Sequence, residues 1–263
     1  MNFKEIAFEV ESIAKEAARY ILEQRKSLSE SDVETKGLHN YVTYIDKGSE
    51  SLIIDHLKPL INNAGFIAEE NTQNLRGKEF NWIIDPLDGT TNFIHGVPIC
   101  SVSIALMQNS EIVVGEVLEI FSGESFLAWK DGPALCNGKP VQVSRRSNVK
   151  EILLATGFPY YDYDLLDQYL ALFKHFMKNT RGLRRLGSAA LDLAWVACGR
   201  FDGFYEYGLN EWDVAAGSFI VERAGGKCSD FEGKPHHVFG RQILSSNGIL
   251  HQQLLNQIQM FFP

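Results

Sequence analysis

The sequence predicts an α/β (α+β) layered sandwich built as one continuous unit. Three observations carry that reading: amphipathic helical stretches near both ends, an antiparallel meander in the middle third, and alternating strands and helices in the last third. The 263 residues, 45% hydrophobic and 22% charged, suit a globular chain. That balance excludes disorder, a coiled coil and collagen-like repetition. No repeat, low-complexity tract or Pro/Ser-rich linker divides the chain. Residues 1–263 are therefore read as a single domain, with approximate sub-regions 1–150 and 151–263.

The first element is a helix to about residue 26, because Phe3, Ile6, Ala7, Val10, Ile13, Ala14, Ala17 and Ile21 recur at three- and four-residue spacing. The polar stretch Ser27 to Asn40, broken by Gly37, reads as a mobile loop. Asp46 to Asn62 reads as a second helix that closes at or just after Pro59. Phe66-Ile67-Ala68 and Asn81-Trp82-Ile83-Ile84 are short apolar strands, and each runs into acidic residues. Gly89 to Ser110 carries no Asp, Glu, Lys or Arg over 22 residues, about the length of a membrane span. Pro98, the polar residues and the alternation of Cys100, Val102, Ile104 and Leu106 with Ser101, Ser103 and Ala105 make it a buried strand instead. Alternation continues through Val113, Gly115 and Val117, and Asp131-Gly132 and Asn137-Gly138 mark tight turns.

In the last third, Glu151 to Phe158 is a strand and 164–178 a helix. Ser188 caps an Ala-rich helix to Cys198, and Phe201 to Tyr207 is a strand. Asp213 opens a helix that ends at Gly225-Gly226, followed by a strand over Gln242 to Ser246 and a helix over 248–261.

The chain holds 25 basic and 33 acidic side chains, a net charge of −8, which disfavours nucleic acid and anionic membranes as partners. Cys100, Cys136, Cys198 and Cys228 lack metal-like spacing and read as reduced thiols of a cytoplasmic protein. The first residues, with Lys and Glu among the first five, lack the layout of a signal peptide.

The chemistry concentrates in Trp82-Ile83-Ile84-Asp85-Pro86-Leu87-Asp88-Gly89-Thr90-Thr91-Asn92. A buried strand carries Asp85 to its carboxyl end, Pro86 turns the chain, and Asp88 follows on that turn. Two carboxylates so close repel unless one is protonated or a cation lies between them. Gly89, Thr90 and Thr91 then open a helix whose amides suit phosphate. Glu69-Glu70 repeats the strand-then-acid pattern, though a solvated pair has the same appearance. Asp213 has the place of a helix N-cap, a role compatible with facing a cleft. Glu69, Asp85, Asp88 and Asp213 together offer hard oxygen ligands with no His or Cys, a set suited to Mg²⁺ or Mn²⁺. Paired ions of this kind support phosphate-ester hydrolysis.

These residues resemble the inositol monophosphatase family over nearly the whole chain. Ile84 to Phe93 matches its first signature and Glu211-Trp212-Asp213-Val214-Ala215-Ala216 its second, with Gly225-Gly226 following. Arg184 to Ala194 looks like bacterial members. The resemblance implies an αβαβα sandwich of the sugar-phosphatase type, usually a homodimer, Mg²⁺-dependent with two to three ions per site, and often inhibited by Li⁺. By position it implies a first metal on Glu69, Asp85 and the Leu87 carbonyl, a second on Asp85, Asp88 and Asp213, and a weaker third near Glu69 and Glu70. It further implies that Thr90 and Glu69 orient the attacking water, and that the Gly89 and Thr90 amides hold phosphate. Asp88, Ala189, Glu206 and Asp213 would meet the substrate, while Lys36 and Asp46 match positions on a mobile loop. Asn210 stands where animal members commonly carry His.

The leading expectation is thus a Mg²⁺-dependent phosphomonoesterase acting on inositol 1-phosphate or a similar small polyol phosphate. Histidinol phosphate is the runner-up substrate, and fructose-1,6-bisphosphate and adenosine 3′,5′-bisphosphate stand further off. An RNA-associated regulatory role is the reading from another class, with Arg181, Arg184 and Arg185 as its basic patch. A haloacid-type phosphatase fits poorly, because Asp85 and Asp88 are separated by two residues rather than one.

Overall fold

Five layers stack as helices, sheet, helices, sheet, helices in the computed structural model, which describes residues 1–29, 32–37, 40–72, 75–159 and 163–262. The first layer holds α1 (Phe3–Gln24) and α2 (Tyr44–Leu57). Between them, β1 (Val33–Gly37) and β2 (Asn40–Thr43) pair antiparallel. The stretch expected to be a loop therefore contains a hairpin. Its short alternation, Val33, Thr35 and Tyr41, Thr43, was hidden among charged residues.

The second layer is a seven-stranded sheet of β3 (Gly65–Ala68), β4 (Phe80–Asp88), β5 (Ser101–Gln108), β6 (Glu111–Glu119), β7 (Ser125–Trp129), β8 (Leu135–Cys136) and β9 (Lys139–Pro140), in chain order. All neighbours except β3–β4 are antiparallel, which is the predicted meander. Asn137 and Gly138 both take positive φ, as the two-residue β8–β9 turn requires. Side chains alternate between two cores: Trp82, Ile84, Val102, Ile104 and Leu106 face α1 and α2, whereas Ile83, Ala105 and Val117 face the middle layer. α3 (Thr90–His95) follows β4 directly.

The last third supplies the remaining layers. A five-stranded sheet runs in the order β11 (Gly182–Arg184), β10 (Leu153–Thr156), β12 (Gly203–Tyr207), β14 (Gln242–Ser246) and β13 (Lys227–Ser229). On one face it packs α5 (Ala189–Ala197) and α6 (Glu211–Arg223), and on the other α4 (Leu166–Asn179) and α7 (His251–Ile258). α6 buries every residue from Val214 to Val221, as a helix enclosed by two sheets must. It ends with Gly225 in the left-handed region, the Gly225 and Gly226 amides donating to the Glu222 and Val221 carbonyls. α6 begins at Glu211, not Asp213: Asn210 is the N-cap, and Asp213 sits three residues on as its capping-box partner. Strands β11 and β13, three residues each, were too short to carry a legible period. Among the described residues, no helix is long and apolar enough to cross a membrane.

Candidate metal and phosphate site

The site is built where β4 breaks its pairing with β5. Asp85 lies opposite Ser103 and Asp88 opposite Ser101, so three steps along β4 face two along β5. That bulge replaces the turn expected at Pro86. In a regular strand, residues three apart point to opposite faces. The extra residue resets the parity and turns both carboxylates toward the middle layer. Pro86, with no amide hydrogen to donate, is suited to the bulge.

The carboxylates are held from several elements. Asp88 Oδ2 accepts from the Ser188 hydroxyl at 2.7 Å and the Ala190 amide at 2.8 Å, at the start of α5. Asp213 Oδ2 accepts from the Asn210 amide at 2.7 Å, and Asp85 Oδ1 from the Leu87 amide at 3.0 Å. Among the described residues, the second oxygen of each takes no protein hydrogen bond. Each acid is thus anchored by one oxygen and leaves the other for a ligand.

Electrostatics agree with that geometry. Asp85 is 2% exposed, and burial followed by the charges of Glu69, Asp88 and Asp213 pushes its pKa well up. Burial raises Asp88 to about 6, against the Ser188 and Ala190 hydrogen bonds and the Arg185 charge. Burial and then the Asp88 charge raise Asp213 to about 7, opposed by the Asn210 amide. Carboxylates converging in this way with little positive charge nearby want a cation. An all-oxygen donor set fits Mg²⁺ or Mn²⁺.

The cleft has a volume of about 140 Å³ and is lined by Glu69, Asp85, Leu87, Asp88, the Gly89–Asn92 segment, Ser188, Ala189, Glu206 and Asp213, among others. α3, α5 and α6 all begin there, so their amide ends face the same space. Gly89 adopts φ 96°, and a Cβ on it would approach the Ile99 and Gly187 carbonyl oxygens within 3.0 and 3.1 Å. Glycine is what this turn admits. The Thr90 hydroxyl lies 3.1 Å from both Asp46 Oδ1 and the Leu87 carbonyl oxygen.

Other expected positions are placed differently. Glu69 lines the cleft; Glu70 does not, and its amide donates to Glu50 Oε2 at 2.7 Å. Asp46 is not on a loop: it lies in the first turn of α2, 1% exposed, its Oδ2 accepting from the Thr43 amide and hydroxyl. Lys36 lies in β1, and its side chain is outside the described residues. The basic patch divides, because Arg181 and Arg184 are exposed whereas Arg185 lines the cleft, its guanidinium 5.3 Å from the centre of the Phe158 ring. There its charge faces Asp88, Asp192 and Glu206 and favours their ionised forms.

The sequence did not reveal four contributors. Glu50, buried in α2, accepts from the Glu70 amide, the Thr72 amide at 2.8 Å and the Thr72 hydroxyl at 2.6 Å, and so shapes the Glu69-Glu70 turn. Asp192 lines the cleft from α5, 2% exposed. Its position inside the apolar run Ala189 to Ala197 was the one available signal. Burial, then the Glu206 and Asp88 charges, raise its pKa well above the usual range. Gly157 lies against Glu206, where a Cβ would come within 2.0 Å of Oε2. Arg185 is the fourth: the sequence marked it as part of a basic patch and not as a wall of the cleft.

The model of the inositol monophosphatase family matches residues 3–260. A protein of Pseudomonas aeruginosa named Nus factor SuhB is 39% identical over 95% of this chain and 94% of its own. An inositol-1-monophosphatase of Caulobacter vibrioides is 38% identical over 94% of this chain and 98% of its own. Among solved structures, the extragenic suppressor protein suhB of Bartonella henselae superposes with a TM-score of 0.90 at 33% identity, covering 97% of this chain and 98% of that one. The inositol monophosphatase of Anabaena gives 0.87 at 34% identity, covering 99% and 97%.

Proposed function

The chain belongs to the inositol monophosphatase family, and from that premise we propose a Mg²⁺-dependent phosphomonoesterase acting on inositol 1-phosphate or a similar small polyol phosphate. The observation that carries the proposal is the convergence of Asp85, Asp88 and Asp213, each anchored by one oxygen, beside the Gly89–Thr90 helix start. Glu69, Asp85, Leu87 through its carbonyl, Asp88 and Asp213 would hold the metal, with Glu70 nearby. Bound there, Mg²⁺ would neutralise phosphate charge and supply Lewis acidity.

The chain's own groups do the rest. The amides of Gly89 and Thr90 receive the phosphate oxygens. The Thr90 hydroxyl, held by Asp46 and the Leu87 carbonyl, orients the attacking water together with Glu69, which takes its proton. Water attacks phosphorus, the P–O ester bond breaks, and the leaving oxygen takes a proton from a solvent water and departs as the alcohol. Glu206, Ala189 and Asp213 meet the polyol hydroxyls, and Asp88 lies beside the reacting group. A homodimer, a cytoplasmic setting and Li⁺ inhibition belong to the same proposal.

Phosphate release from a panel of inositol 1-phosphate, histidinol phosphate and sugar phosphates, with and without Mg²⁺, Mn²⁺ and Li⁺, is the test. Metal-dependent turnover fastest on inositol 1-phosphate supports it. A histidinol phosphate rate far above the inositol phosphate rate would shift the substrate, and absence of turnover on all of them would remove the activity. The relative named Nus factor SuhB favours a second reading, a regulatory partner role using the exposed Arg181 and Arg184. An Asp88→Asn chain that keeps full biological effect would select it.

A further inference from the structure

At the far end of α6 from Asp213, three donor side chains of different chemistry come together. Glu222 in the last turn of α6, Cys228 in β13 and His237 in the segment before β14 each place one ligand atom within 4.8 Å of the others. Asp213 and Glu222 are nine residues apart on one helix, about 14 Å along its axis, so this cluster is separate from the cleft.

Two further features distinguish it from a chance grouping. Cys228 and His237 are 7% and 8% exposed, whereas Glu222 is open to solvent, so the cluster has a closed back and an entry side. Moreover, His237 Nδ1 is shut off from solvent with no hydrogen-bond partner among the described residues. A buried nitrogen left unmatched in this way is costly, and a ligand would satisfy it. Burial also holds the imidazole neutral, its pKa lowered to about 4, which is the form that ligates metals. The Cys228 thiol, whose pKa burial and the Glu222 charge raise, lies 3.8 Å from the Ser218 carbonyl oxygen and also meets the Ser245 hydroxyl.

We infer that Glu222, Cys228 and His237 form a second metal site, selective for Zn²⁺ or a similar borderline cation, that ties α6, β13 and the segment before β14 together. One sulfur, one nitrogen and one oxygen donor, with a water completing a tetrahedron, is a zinc-type set, whereas Mg²⁺ prefers oxygen alone. On binding, Cys228 releases one proton to solvent and ligates as thiolate, neutral His237 gives up nothing, and Glu222, whose pKa burial raises, ligates as carboxylate and releases to solvent any proton it holds. The role is structural: the ion adds a side-chain link between α6, β13 and the segment before β14, beside the β13–β14 ladder.

Co²⁺ substitution of the full-length protein tests this. The expected result is a thiolate-to-cobalt charge-transfer absorption that saturates at one equivalent and is displaced by Zn²⁺. Cys228→Ser should abolish the band, and Glu222→Ala, an exposed change that leaves the fold intact, should weaken Co²⁺ binding about tenfold or more. An Asp85→Asn/Asp213→Asn chain should keep the band, because the cleft offers no sulfur. A wild-type protein without the band at saturating Co²⁺ overturns the site even if Cys228→Ser fails to fold. So does a band that survives in Cys228→Ser, or Zn²⁺ that leaves the Tm of the Asp85→Asn/Asp213→Asn chain unchanged.

Discussion

The Thr90 hydroxyl reaches Asp46 Oδ1 across 3.1 Å, while Oδ2 of the same carboxylate closes the capping box at the start of α2. One side chain thus fixes both a helix end and the hydroxyl facing the cleft. Asp46→Ala should lower stability by about 1 kcal/mol through the lost cap and free Thr90 to rotate. The expected outcome is a reduced Tm together with a kcat loss larger than any KM change. Thr90→Ser, which retains the hydroxyl, should keep most activity and Thr90→Val should not; steady-state kinetics on the three variants checks this.

Asp85→Asn should lower kcat/KM beyond the roughly 10–100-fold that loss of an outer-shell partner costs. The same change removes a buried charge that repels Glu69, Asp88 and Asp213. Without metal, the variant should therefore be at least as stable as wild type at neutral pH. The Tm increase that Mg²⁺ gives wild type should be lost. Thermal unfolding with EDTA and with Mg²⁺ measures both effects.

The pH dependence of the metal-free protein follows from the same acids. Asp88 and Asp213 have folded pKa values of about 6 and about 7, above the ordinary 3.8. A raised carboxyl binds protons more tightly in the folded state, so its contribution is most favourable below about pH 4 and is lost as pH rises toward 7. Denaturant unfolding in EDTA should show this component weakening between pH 4 and pH 7. Saturating Mg²⁺ should flatten it, since a bound cation favours the ionised forms.

Glu50→Ala should act at a distance. Its carboxylate holds the Glu70 amide and both Thr72 donors. Without it the Glu69-Glu70 turn loses its template, and the Mg²⁺ concentration for half-maximal activity should rise about 10–100-fold. A Mg²⁺ titration of turnover is the measurement, and an unchanged midpoint would sink the positioning role.

Gly157→Ala forces a methyl group against the Glu206 carboxylate. Glu206 is buried and has little room to retreat. KM for a polyol phosphate should rise by about tenfold, corresponding to about 1.4 kcal/mol, with the metal requirement unchanged. Comparing KM for inositol 1-phosphate with that for a small aryl phosphate lacking the ring hydroxyls would isolate the effect.

The local code was legible where a period or a motif is local. Hydrophobic spacing marked α1, the meander and the buried α6, and Asp85 to Thr91 announced a cation-and-phosphate chemistry before any contact was known. Ser188 was identifiable as a cap from its residue type and place, though its second bond, to Asp88 a hundred residues away, was not. Short strands such as β11 and β13, and the β1–β2 hairpin, offered too few residues to establish a period.

What the sequence determined by itself was the donor chemistry: which residues are carboxylates, and that a glycine and a threonine follow them. Tertiary structure decided which of those carboxylates share a space. The β4 bulge sets Asp85 and Asp88 on one face, Asn210 and Asp213 share the start of α6, and Glu50 and Arg185 join from elements whose sequences give no sign of it. The physical reason is range. Side-chain identity and periodicity act within a few residues along the chain, whereas desolvation and Coulomb coupling depend on distances that only the packing of five layers establishes.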